Sequence, residues 1–151
     1  MIIIAIMAAV TAPRLISFAT SRRTNDIART FLSLAHYART TAIGEGRIYR
    51  LNIDSSSRPQ KFYLTAQNGA TYEAPTTDYG QEFTVPDSVS MDTDLTPQTD
   101  GTYIVFNPSG RTQEAQVRFT DLSTPGRKVV TVACPSATEN FRILLPGEVV
   151  P

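Results

Sequence analysis

The two side chains whose ordinary pKa lies nearest neutrality, histidine and cysteine, each occur once in this chain, as His36 and Cys134. One histidine and one cysteine supply neither a zinc ligand set nor an intrachain disulfide. His36 falls in the middle of a helical pattern, where a solvated or half-buried role is the simpler reading. Cys134 lies among Val132, Ala133 and Pro135, which suits a buried small apolar residue. Asp92, Asp94 and Asp100 are spaced to approach a calcium ion, but they lack the glycine turn and distal glutamate of an EF-hand loop. The stretch Asn107-Pro108-Ser109-Gly110-Arg111 has no GKS or GxGxxG around it and reads as a turn between strands. These residues argue against catalysis. No metal, cofactor or small-molecule substrate is expected.

Arginine is the other source of chemistry. Formal charge is zero overall, but residues 1–50 carry +5 and residues 51–151 carry −5, which describes a basic stalk on an acidic head. Arg22, Arg23 and Arg29 could form a basic stripe, and Arg111, Arg127, Lys128 and Arg142 could collect on one rim of the head to bind DNA. The acidic balance of the head and the lack of aromatic-basic interleaving weigh against nucleic acid. For the stalk arginines, anionic lipid head groups or acidic neighbours are competing partners.

The elements that would position these groups begin with an apolar run, MIIIAIMAAVTA, leading into Pro13 and Arg14. As a helix it spans about 18 Å, short of the ~30 Å hydrocarbon core of a bilayer. Three readings compete. A signal peptide would carry a basic segment before the run and a small-residue cleavage site after it. A buried core helix is the second, but Ile2, Ile3, Ile4, Ala5, Ile6 and Met7 are apolar on every face, which suits lipid or a fully surrounded position better than a domain surface. The reading that fits best is the C-terminal half of a membrane-spanning helix whose natural start lies before Met1. Pro13 either kinks this helix near Ala9 to Pro13 or begins a separate one.

From Arg14 to Ile43 the apolar positions Ile27, Phe31, Leu34, Ala35, Ala38, Ala42 and Ile43 recur at spacings of three and four, forming one stripe of a helix that Gly44 and Gly46 end. Beyond it, short runs rich in Ile, Val, Tyr, Phe and Thr between turn residues predict antiparallel strands. They fall at Arg47–Asp54, Lys61–Gln67, Ser88–Asp92, Thr102–Phe106, Gln113–Asp121, Arg127–Ala133 and Asn140–Leu145. Asn68–Phe83 and Asp92–Gly101 read as surface loops. The expected class is α+β: a long N-terminal helix, apolar and then amphipathic, packed on a C-terminal antiparallel β domain.

This order of parts resembles the type IV pilin-like proteins, specifically the GspH and FimT group of minor pseudopilins. The run Ile2 to Pro13 is similar to the later part of a prepilin hydrophobic segment, and Ala38-Arg39-Thr40-Thr41-Ala42-Ile43-Gly44-Glu45-Gly46 to the stalk end. Phe83-Thr84-Val85-Pro86-Asp87-Ser88-Val89 and Ile104-Val105-Phe106-Asn107-Pro108-Ser109-Gly110 resemble the group's later signatures. The glycine and Phe-Thr-Leu-Ile-Glu processing sequence of the family is missing, as is its docking glutamate. The Gly-Arg-x-Arg stretch of DNA-binding members has no counterpart in Phe141-Arg142-Ile143-Leu144-Leu145-Pro146-Gly147-Glu148.

The resemblance implies a non-enzymatic, pilin-like subunit of a type II secretion pseudopilus tip. Residues 1–23 would be the membrane and filament-core part of the helix, with Ile2, Ile3, Ile4, Ile6, Met7, Val10 and Pro13 in contact. Residues 24–151 would be the periplasmic head of a single-pass inner-membrane protein. Expected partners are other pseudopilins and membrane lipid, with DNA less favoured. The alternatives are a type IV pilus minor pilin that binds DNA for uptake, and a secreted binding module or enzyme behind a signal peptide.

Overall fold

A computed structural model of the chain describes residues 2–150, with side chains from Arg22 onward. A single helix, α1, runs from Ile2 to Glu45. It continues past Pro13, so no separate helix begins there. It runs one residue past Gly44, and Gly46 takes the left-handed conformation, with φ of +65°, that lets the chain leave a helix C-terminus. The strands that follow are β1 (Tyr49–Asp54), β2 (Lys61–Asn68), β3 (Thr71–Glu73), β4 (Phe83–Thr84), β5 (Val89–Thr93), β6 (Tyr103–Phe106), β7 (Ala115–Asp121), β8 (Val129–Cys134) and β9 (Arg142–Ile143).

They form two antiparallel sheets. The first has the order β3-β2-β1-β6, with β4 also pairing with β2; the second has the order β5-β7-β8-β9. Each sheet buries alternate residues, as the two-residue period of a strand requires. β1 turns in Tyr49, Leu51 and Ile53, β2 turns in Phe62, Leu64 and Ala66, and β7 turns in Ala115, Val117 and Phe119. Both sets meet one stripe of α1, namely Ala28, Phe31, Leu34, Ala35, Ala38 and Ala42. Phe31 joins the sheets, with its ring centroid 5.2 Å from Phe62 and 5.7 Å from Phe119. Small residues above and below it let the strands approach the helix axis. Each large apolar side chain buried this way is worth about 1.5–3 kcal/mol.

Several expectations are corrected. Asn68–Phe83 is not all loop: β3 pairs with β2 at Gln67↔Tyr72, and a 3-10 turn spans Asp78–Gly80. Thr93 belongs to β5 rather than to the loop after it. Ile43, assigned to the buried stripe, is 52% exposed. A step of one residue from Ala42 rotates it by about 100°, onto the line of His36 and Arg29. Thr24 and Ala28, which the stripe omitted, are fully buried.

Candidate assembly interface

The helix is held to the head on both flanks as well as along its apolar stripe. On one flank Tyr37 stacks on Tyr79, with centroids 4.2 Å apart, and its hydroxyl lies 3.2 Å from Thr77 Oγ1. The 3-10 turn that carries Tyr79 is thereby fixed to the stalk. On the other flank Arg39 donates to the carbonyl oxygens of Thr138 and Glu139 and to Asn140 Oδ1. His36 Nε2 lies 2.8 Å from the carbonyl oxygen of Phe141. Together these clamp the segment that precedes β9. Residues three apart on a helix face the same side, so Arg39 and His36 grip one loop.

The helix end is fixed by a third group of contacts. Glu45 accepts hydrogen bonds from Arg47 and from the Tyr49 hydroxyl, the latter at 2.8 Å. The Arg47 hydrogen bond, then that of Tyr49, holds the Glu45 carboxyl below its usual range. Burial, reinforced by Glu45, pushes the Tyr49 hydroxyl up to about 12. Between the two sheets, the buried Gln60 amide accepts from the Met91 amide nitrogen at 2.7 Å and donates to the Met91 carbonyl at 3.0 Å. It occupies the outer edge of β5 as a neighbouring strand would. Stalk and head therefore form one body.

The opposite face of the stalk is left uncovered by the head. Arg23, Asp26, Arg29, Ser33 and Thr40 are exposed and follow one another along the helix away from the buried stripe, while the exposed His36 and Ile43 border this face where they meet Phe141 and Gly110 of the head. This face is chemically suited to contact another helix or its surroundings rather than to bind a small molecule.

The sites expected from sequence fare differently. Ile2, Ile3, Ile4, Ile6, Met7, Val10 and Pro13 lie outside the residues whose side chains are described. Among the described residues, no helix is long and apolar enough to cross a membrane. The four candidate DNA-binding cations divide between two ends of the second sheet. Arg111 follows β6 in the turn whose Gly110 lies against Ile43, and Arg142 pairs in register with Ala133 near the His36 level. Arg127 and Lys128 lie in the β7–β8 turn, at the other end of those strands. Arg142 is also bound by Glu148 at 2.5 Å.

The calcium candidates do not converge. Asp92 pairs with Arg118, Asp94 accepts from the Gln116 amide, and Asp100 pairs with Arg50 at 2.9 Å. Among the described residues, no group of three acidic, histidine or cysteine side chains could hold a metal ion. Cys134 is buried, with Sγ 3.3 Å from Thr112 Oγ1 and 3.1 Å from the Ser136 carbonyl.

Sequence reasoning missed three contributors. Tyr37 falls between stripe and solvent and carried no pattern signal. Arg39 counted only as charge, since its carbonyl partners lie about a hundred residues away in the chain. Arg50, counted with the stalk, in fact lies on the outer face of the first sheet. There its guanidinium stacks 3.6 Å from the Tyr72 ring and 4.1 Å from the Tyr103 ring.

Comparison with known proteins agrees with this architecture. The family model described as "Type II transport protein GspH" matches residues 28–134. Among curated proteins, none matches the chain in sequence. Two solved structures of the minor pseudopilin EpsH from the type II secretion system of Vibrio cholerae share its fold. One has a TM-score of 0.70 at 16% identity, covering 83% of this chain and 99% of that one. The other has a TM-score of 0.67 at 13% identity, covering 83% and 98%. The family match runs from Ala28 to Cys134, the last residue of β8, and so takes in most of the stalk's buried stripe and strands β1 to β8. The chain belongs to the GspH family of type II transport proteins, the minor pseudopilins of type II secretion.

Proposed function

We propose that this minor pseudopilin occupies the tip of the pseudopilus and is held before assembly by a single pass through the inner membrane. Residues 1–23 would be the anchor and later the filament core, and residues 24–151 the periplasmic head. Ile2, Ile3, Ile4, Ile6, Met7 and Val10 offer apolar surface to lipid and then to sibling helices, with Ala5, Ala8, Ala9 and Ala12 permitting close packing. Its partners are other pseudopilins, and its role is structural rather than enzymatic. The observation that carries the reading is the division of the stalk from Thr24 to Ile43. One face is consumed by the head, and the other runs uncovered along the direction in which neighbouring subunits would lie.

Removal of the chain from cells that carry its secretion apparatus should stop or strongly reduce export of type II substrates, and the full chain should restore it. Export at the normal level without the chain would overturn the reading.

A further inference from the structure

The end of the head nearest the anchor gathers several exposed cations around exposed apolar side chains. β7 runs towards the helix N-terminus: the Gln116–Ala133–Arg142 row lies near His36, while Phe119 touches Phe31. The β7–β8 turn therefore lies beyond Phe31, at the level where Thr24 is fully buried against the head. β1 runs the same way from Tyr49, bound to Glu45, so the β1–β2 turn bearing Arg58 arrives at the same end. Arg58 and Leu122 line one cleft there, and Leu122 and Arg127 line a second.

At this end Lys61, paired in register with Asp54, has a salt bridge to Glu82; away from it Arg47, Arg50, Arg118 and Arg142 each have one and, among the described residues, Arg111 does not. Among the described residues, none of the salt bridges takes Arg23, Arg58, Arg127 or Lys128, and all four are exposed. Of the carboxylates at this end, Asp121 is used by Ser123 and Thr124, and Asp54 by Ser56 and Ser57. Asp26, Asp87 and Glu82, the last paired with Lys61, are the exposed ones. Two large apolar side chains accompany the cations, Leu122 and Val129, each 50% exposed. Cations around a small apolar patch are the combination that settles into an anionic lipid interface, each cation contributing about 1 kcal/mol near a charged bilayer.

We infer that this rim docks onto the anionic phospholipid head groups of the membrane that holds the stalk, seating the head on the bilayer until assembly lifts it off. The proposal rests on the anchoring reading above: if the anchor ends near Arg23, the rim begins one residue later, within the head-group layer that flanks a bilayer core by roughly 5–7 Å on each side.

The test uses the full chain reconstituted into vesicles of phosphatidylcholine alone, or of phosphatidylcholine mixed with phosphatidylglycerol. A spin label is placed at Val129→Cys, or at Ser109→Cys in the exposed β6–β7 turn at the opposite end; Cys134 is buried and does not compete. Co-flotation with neutral vesicles reports anchoring, and protection of the label from a water-soluble relaxation agent reports docking. The expected result is protection at position 129 in phosphatidylglycerol vesicles only, none at 109, and a loss of roughly 5-fold in the docked-to-undocked ratio for each of Arg127→Gln and Lys128→Gln. High salt should release the unmodified head in the same way. An anchored chain whose 129 label is equally exposed in both vesicle types would overturn the inference alone. A chain that floats with neither would overturn the anchoring reading and the inference with it. Retention of duplex DNA through Arg127 and Lys128 by an anchored chain with no lipid contact would assign the rim to nucleic acid instead.

Discussion

The two faces of the stalk between Thr24 and Ile43 are built on different rules. On the inner face Ala28, Phe31, Leu34, Ala35, Ala38 and Ala42 are at most 1% exposed, and one aromatic ring ties two sheets together. On the outer face Arg29, Ser33 and Thr40 are exposed, and Thr30 returns its hydroxyl to the Asp26 carbonyl. The inner face is specified by volume, because close-packed interiors tolerate neither gaps nor extra methylenes. On the proposed assembly role, the outer face is specified by what approaches it. Stability and assembly should therefore respond to different substitutions on a single helix.

The largest effect should come from the inner face. Phe31→Ala removes the contact with both Phe62 and Phe119 and should cost about 3–5 kcal/mol, read as a lowered denaturation midpoint. A cost below that of an exposed site would mean that the sheets, not the stalk, hold the head together.

A smaller effect should come from Asp121, at the far end of the same packed surface. Burial works to raise its pKa, but hydrogen bonds from Thr124 and Ser123 prevail and hold it below the usual 3.8. Asp121→Ala leaves those donors unmatched and should cost about 1–3 kcal/mol. Because the folded value is the lower one, the stabilisation is present above the unfolded pKa and disappears as pH falls through the folded one. Chemical denaturation from neutral pH down to strongly acidic pH should show this loss, and Asp121→Asn should reduce it.

The smallest change in stability should come from the outer face. Arg29→Ala and Ser33→Ala should shift stability by no more than about 0.5 kcal/mol while weakening recovery with other pseudopilins. A large loss of stability there would erase the distinction between the faces.

The stripe through Phe31, Leu34, Ala35, Ala38 and Ala42, and the strands around Leu51, Leu64, Val117 and Val132, were legible in the sequence because burial imposes a period on each element. β3 and β4 were not. At three and two residues they are too short for alternation to register, and their pairing with β2 depends on where Lys61–Asn68 finds its edge. The clamps formed by Arg39, His36 and Gln60 were hidden for another reason. Their partners are backbone carbonyls and amides, which every residue carries, so nothing in residue type marks them. The paired or unpaired state of each arginine was equally invisible, and that state separates Arg142 from Arg127.

The most direct measurement is photo-crosslinking in cells that carry the secretion apparatus, with the reactive residue at Ser33 or Thr40 on the stalk, or at Thr65 on the first sheet. The stalk positions should yield adducts with other pseudopilins, and the sheet position few. Absence of any pseudopilin adduct from the stalk, with adducts confined to Thr65, would contradict the assignment of the uncovered stalk face to assembly.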